Sequence, residues 1–202
     1  MDEKTNWQSL EKNGPITEYN EPFIEQRADP FVCKAADGTY YFTASYPAYD
    51  RILLRSSKTL NGLKDAKERQ IWVKHEHGLM SCHIWAPELH FVYGKWYIYF
   101  AAGEAENIWN IRPYVLECQG DDPINDECVE RGKMQRADDD IFSFEAFSLD
   151  ATIFENKGKY YYVWAEKVSV GPQISNLYIA EMESGYKLKT VQVLLTLSLI
   201  HI

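Results

Sequence analysis

Asp29, Glu88 and Asp150 each lie in the same local pattern. Asp29 opens Asp29-Pro30-Phe31-Val32, Glu88 lies in Ala86-Pro87-Glu88-Leu89-His90-Phe91, and Asp150 opens Asp150-Ala151-Thr152-Ile153-Phe154. Each short run meets a glycine turn, at Asp37-Gly38-Thr39, Tyr93-Gly94-Lys95 and Asn156-Lys157-Gly158-Lys159. The chain then returns as an aromatic segment: Tyr40 to Ala44, Trp96 to Ala102 and Tyr160 to Ala165. Two β-prone runs around a glycine reversal form a hairpin signal. A carboxylate at the head of a strand can move a proton, or it can merely cap a turn, as an Asp before Pro often does. Recurrence at one place in a repeated unit favours the chemical role.

The elements that must hold these acids repeat as well. Gly38, Gly94 and Gly158 are separated by 56 and 64 residues, longer than the ~40–50 of ordinary propeller blades but compatible with loop insertions. A further strand-like segment follows each hairpin: Arg51 to Ser56, Arg112 to Glu117 and Asn176 to Glu181. Ile71-Trp72-Val73-Lys74 supplies a fourth strand for the first unit, after a loop or single helical turn between Leu60 and Arg69. Four-stranded sheets arranged radially bury both faces against their neighbours, so the chain shows no long helical stripe. The Asp-, Gly- and Pro-rich segment 117–140 reads as a solvated excursion between units.

A net charge of −9 argues against nucleic acid and anionic membranes as partners, since both require basic patches. Neutral sugars remain admissible. Residues 1–20 form a polar lead-in without the basic start and apolar core of a secretory leader, and the reading is therefore cytoplasmic. Cys33 reads as a small buried hydrophobe, and a Cys118–Cys128 disulfide would need an oxidising compartment that no other feature supports. His75, His77 and His83 are close in sequence but lack further ligand types at metal-site spacing, and they read as surface residues, with no metal assigned.

Arg27-Ala28-Asp29-Pro30-Phe31, His83-Ile84-Trp85-Ala86-Pro87-Glu88-Leu89 and Leu149-Asp150-Ala151-Thr152-Ile153-Phe154, with their glycine turns and aromatic strands, together resemble glycoside hydrolase family 43. The similarity is strongest to its α-L-arabinofuranosidase branch. The resemblance implies an all-β, five-bladed β-propeller with its site on the central axis. About three blades lie here, in an incomplete catalytic domain over residues 21–196, and 197–202 reads as a non-native tail. It implies hydrolysis of terminal α-L-arabinofuranosyl linkages in arabinose-containing oligo- or polysaccharides, with inversion. β-Xylosidase, endo-arabinanase and a non-catalytic sugar-binding propeller are the alternatives.

An inverting glycosidase sets a base and an acid roughly 6.5–9.5 Å apart across the anomeric carbon, leaving room for water. The resemblance assigns Asp29 as general base and Asp150 as the carboxylate that orients the acid and raises its pKa. Trp85 would wall the sugar pocket and Glu88 would bind hydroxyls, although both could equally brace the blade, and Arg27 could simply pair with a neighbouring acid. The family's general acid is a Glu opening the equivalent hairpin of the next blade, whose turn glycine falls at roughly 210–225 by the same period. No glutamate here has that context, including Glu145, Glu166, Glu181 and Glu183, so this chain alone is expected to be inactive. No cofactor is required; a structural calcium ion in the full-length protein is compatible with the family.

Overall fold

The computed structural model describes residues 22–168 and 175–196; the polar lead-in and the tail lie outside them. The first sheet holds β1 (Ala28–Lys34), β2 (Tyr40–Ser45), β3 (Arg51–Ser57) and β4 (Arg69–Val73), in that order. The second holds β5 (Cys82–Val92), β6 (Lys95–Glu104), β7 (Asn107–Cys118) and β8 (Cys128–Lys133). In the third, β9 (Ser148–Asn156), β10 (Lys159–Lys167) and β11 (Ser175–Ser184) are joined by the short strands β12 (Lys187–Leu188) and β13 (Val193–Thr196), both paired to β11. A 3-10 turn, Asn61–Leu63, interrupts the first sheet's last connection. Among the described residues no helix is long and apolar enough to cross a membrane.

The three hairpins form where the glycine turns predict. Gly38, Gly94 and Gly158 have φ of 85°, 79° and 76°, the left-handed region that glycine enters without a Cβ clash. Packing between blades follows from the two-residue period of a strand. On β6, Trp96, Ile98, Phe100 and Ala102 join a core with Tyr41, Ile52 and Leu54 of the first sheet. The alternate residues Tyr97 and Tyr99 join a second core with Ile153, Tyr162, Trp164 and Tyr178 of the third. Successive side chains point to opposite faces, so one strand serves two cores and is apolar without a break from Trp96 to Ala102.

The segment 117–140 departs from its expected form. It contains β8, the outer strand of the second blade, paired with β7 from Tyr114↔Lys133 to Cys118↔Cys128. The acidic residues that suggested a solvated loop occupy its tip, where Asp122 and Asp126 bond the turn's backbone. At the base, Cys118 and Cys128 form a disulfide. The exposed edge strand tolerates polar residues because only one of its faces needs burial. Closing a loop of 10 residues removes unfolded-state freedom worth roughly 2–3 kcal/mol. Reduction should therefore lower the urea midpoint by a corresponding amount, and Cys118→Ala/Cys128→Ala should abolish the effect of reductant.

Candidate active site

All three inner strands carry the same irregularity near their heads. Ala28 pairs with Ser45 and the next pair is Phe31 with Thr43, so Asp29 and Pro30 together oppose a single residue, Ala44. In the second blade Trp85 pairs with Ala101 and Glu88 with Tyr99, leaving Ala86 and Pro87 against Phe100. In the third, Leu149 pairs with Ala165 and Thr152 with Val163, leaving Asp150 and Ala151 against Trp164. The first bulged residue has a positive φ in every case: 50° at Asp29, 45° at Ala86 and 51° at Asp150. A bulge of this kind re-aims a side chain out of the pleat, and its unpaired second position accommodates Pro30 and Pro87, which have no N–H to donate.

This register corrects one expectation. The position in the second blade that matches Asp29 and Asp150 is Ala86, and Glu88 lies two residues further along β5. Glu88 instead shares a 2.7 Å hydrogen bond with His90 Nε2. The Ala86 N–H donates to Ser45 Oγ at 2.8 Å, and the Ser45 hydroxyl in turn donates to Asp29 Oδ2 at 2.7 Å. Ser45 thus fastens Asp29 to the neighbouring blade's bulge. It ends the first aromatic strand, and nothing in the spacing of the acids pointed to it.

The two aspartates and Glu88 lie close enough to feel one another. Surrounding protein, then the charges of Asp29 and Glu88, push Asp150 up to about 6, although its side chain still reaches solvent. A further carboxyl placed beside this cluster would likewise be pushed upward by the neighbouring negative charge. The consequence for stability has a definite sign. A carboxyl that binds its proton more tightly when folded adds nothing to the pH dependence below about 4, and it destabilises progressively as pH rises through about 6. Asp150→Asn should remove that component, and the difference between variant and parent unfolding curves at pH 4.5 and 7 isolates it. An NMR titration of the Asp150 carboxyl carbon should show a midpoint near 6 that falls in Glu88→Gln.

The remaining candidates are also placed. Trp85 packs with Ala101, Ile111, Leu149 and Ala165, where the second and third sheets meet. Its ring meets Tyr49 edge-on at 6.0 Å and lies 4.5 Å from His83. Arg27 pairs with Glu68 at 2.8 Å, which Arg55 also approaches. His75 bonds Glu130 and the Leu79 carbonyl, away from His83. Glu166 is fully buried and accepts bonds from Phe144 N, Ala146 N and Trp164 Nε1, so it braces the segment that leads into β9. Burial raises its pKa against those bonds. Among the described residues no three His, Cys, Asp or Glu side chains gather as metal ligands.

Cys33, partly exposed along β1, has a thiol that burial pushes up to about 12, which keeps it protonated and unreactive at neutral pH.

The model of glycosyl hydrolases family 43 matches residues 19–198. An extracellular exo-alpha-(1->5)-L-arabinofuranosidase of Streptomyces chartreusis is 45% identical over 88% of this chain and 52% of its own length. One of the same name from Streptomyces avermitilis is 44% identical over 85% of this chain and 34% of its own. The crystal structure of an alpha-L-arabinofuranosidase from Lactobacillus brevis superposes with a TM-score of 0.76 at 48% identity, covering 87% of this chain and 55% of that one. The chain therefore spans about half or less of the length of these relatives. Two of them are named extracellular, which overturns the cytoplasmic reading. The Cys118–Cys128 bond is of the kind that oxidising surroundings sustain. With an all-β architecture of four-stranded blades, a family match over most of its length and relatives above 40% identity, this chain belongs to glycosyl hydrolases family 43.

Proposed function

We propose that the protein containing this chain is an exo-acting α-L-arabinofuranosidase that inverts the anomeric centre. Asp29 is its general base and Asp150 its orienting, pKa-raising carboxylate. The observation that carries this reading is the paired bulge: the same backbone device presents Asp29 and Asp150 from two blades, close enough to couple electrostatically.

In the step assigned to Asp29, the carboxylate takes a proton from water as the water oxygen bonds the anomeric carbon. The carbon–oxygen bond to the leaving group breaks on the opposite side, and an acid protonates the departing oxygen. Ser45 holds Asp29 Oδ2, leaving the other carboxylate oxygen for water. The three bulge positions among the described residues hold Asp29, Ala86 and Asp150, so the proton donor is assigned to another blade of the longer protein. The density of negative charge around Asp150 would keep such a donor protonated near neutral pH.

The relatives' names favour an arabinofuranosyl substrate. The test is hydrolysis by the longer protein of 1,5-linked arabino-oligosaccharides against xylo-oligosaccharides, with the product anomer read by NMR before mutarotation. Release of β-arabinofuranose from α-linked substrate supports the proposal; retention of the anomer, or cleavage of xylosides alone, refutes it.

A further inference from the structure

The most exposed tryptophan among the described large hydrophobics is Trp109, with 59% of its surface open. It does not lie on a regular strand edge. Ala102 pairs with Arg112 and Glu104 with Asn107, so residues 108–111 together oppose Gly103. This excursion is firmly built. A Cβ on Gly103 would come within 2.6 Å of the Ile108 carbonyl and 3.1 Å of Ile111 Cδ1, so the loop seats directly on a residue that must lack a side chain. Ile111 is completely buried beneath it, and Asn110 Nδ2 donates to Glu104 Oε1 at 2.7 Å.

Chain direction places the excursion on the same side of the blades as the acids. β5 leaves that side, β6 returns to it and β7 begins there. Trp109 stacks on His83 at 5.3 Å with 24° between ring planes, and His83 in turn lies 4.5 Å from Trp85. Burial lowers the pKa of His83, so the ring under Trp109 is a neutral imidazole at neutral pH. Trp85 immediately precedes Ala86, whose N–H reaches Asp29 through Ser45. A continuous aromatic path therefore runs from the Asp29 bulge outward to an open indole.

We propose that Trp109 is a stacking platform for the sugar rings of an oligosaccharide beyond the terminal residue, with His83 as its rigid support. This rests on the function proposed above and deepens it, because it specifies a chain of sugars, and not a terminal residue alone, as the ligand. Sugar rings present C–H faces that pack on an aromatic plane while their hydroxyls stay in water, and a fixed indole loses little entropy in binding them. A platform braced by Gly103 and Ile111 is fixed in this sense.

The test titrates the longer protein, made non-hydrolysing by Asp29→Asn, with arabinose, arabinotriose and arabinopentaose, and with xylose and the matching xylo-oligosaccharides, following binding by calorimetry. Affinity should rise with chain length, and Trp109→Ala should abolish about tenfold of that gain while leaving the shortest ligand unaffected. Trp109→Phe should retain most of it. Equal length dependence in parent and Trp109→Ala, or no binding of any oligosaccharide, overturns the platform. A Trp109-dependent gain with xylo-oligosaccharides alone would keep the platform and refute the arabinofuranosidase reading, so the two failures are distinguishable.

Discussion

Asparagine at position 29 should lower kcat/KM of the longer enzyme by about 10³-fold, within the 10²–10⁴-fold range of general-base catalysis. The amide keeps the size of the carboxylate and can still accept the Ser45 hydroxyl bond, now at 2.7 Å, so the bulge should persist. What is lost is a group able to take a proton from water. Azide separates this from a general loss of structure, because it attacks the anomeric carbon without needing deprotonation. It should restore turnover in Asp29→Asn with formation of a glycosyl azide of inverted configuration. Asp150→Asn should not respond to azide, since Asp150 is assigned to the acid and not to the water. If azide rescues neither variant, or rescues Asp150→Asn alone, the assignment of Asp29 as base fails.

The second large effect concerns the fold. Trp164 is fully buried on β10, where its ring packs between Phe144, Tyr162 and Tyr178. Its Nε1–H donates to Glu166 Oε2 at 2.8 Å. Trp164→Ala should destabilise by about 3–5 kcal/mol, the usual cost of emptying a large aromatic site. It also withdraws one of the three donors that compensate a buried carboxylate. Trp164→Phe keeps most of the packing and loses only the donor, so it should cost less and show a rise in the Glu166 pKa. Urea unfolding of the three proteins measures the difference. A loss below about 1 kcal/mol in Trp164→Ala would mean that the second inter-blade core does not have the density described.

Much of this architecture was legible in the residues. Glycine at each reversal and β-branched or aromatic residues on both sides fixed three hairpins, because turn chemistry and strand propensity are local. The double-sided burial of β6 was legible too, since an unbroken apolar run such as Trp96 to Ala102 fits only a strand covered on both faces. What escaped was register. Counting acids along the chain made Glu88 the partner of Asp29 and Asp150, and only cross-strand pairing shows that Ala86 has that place. A bulge is a relation between two strands, and its single extra residue leaves no mark in a one-dimensional pattern. Ser45 and Trp109 escaped for the same reason: one acts across blades, the other sits on an excursion defined by Gly103 opposite. β8 was hidden because an edge strand can be as polar as a loop.

The bulge at Ala86 also bears on how such a fold acquires chemistry. An alanine at φ 45° has no side-chain reason to be there, since Asp and Asn enter this region more readily than Ala does. The conformation is therefore maintained by the blade and not by the residue, and in this blade it is silent. A propeller built this way carries pre-aimed sockets in each repeat, some filled with a reactive group and some blank. New activities can arise by writing an acid into a blank socket without inventing new backbone, which separates the inheritance of geometry from the inheritance of catalysis.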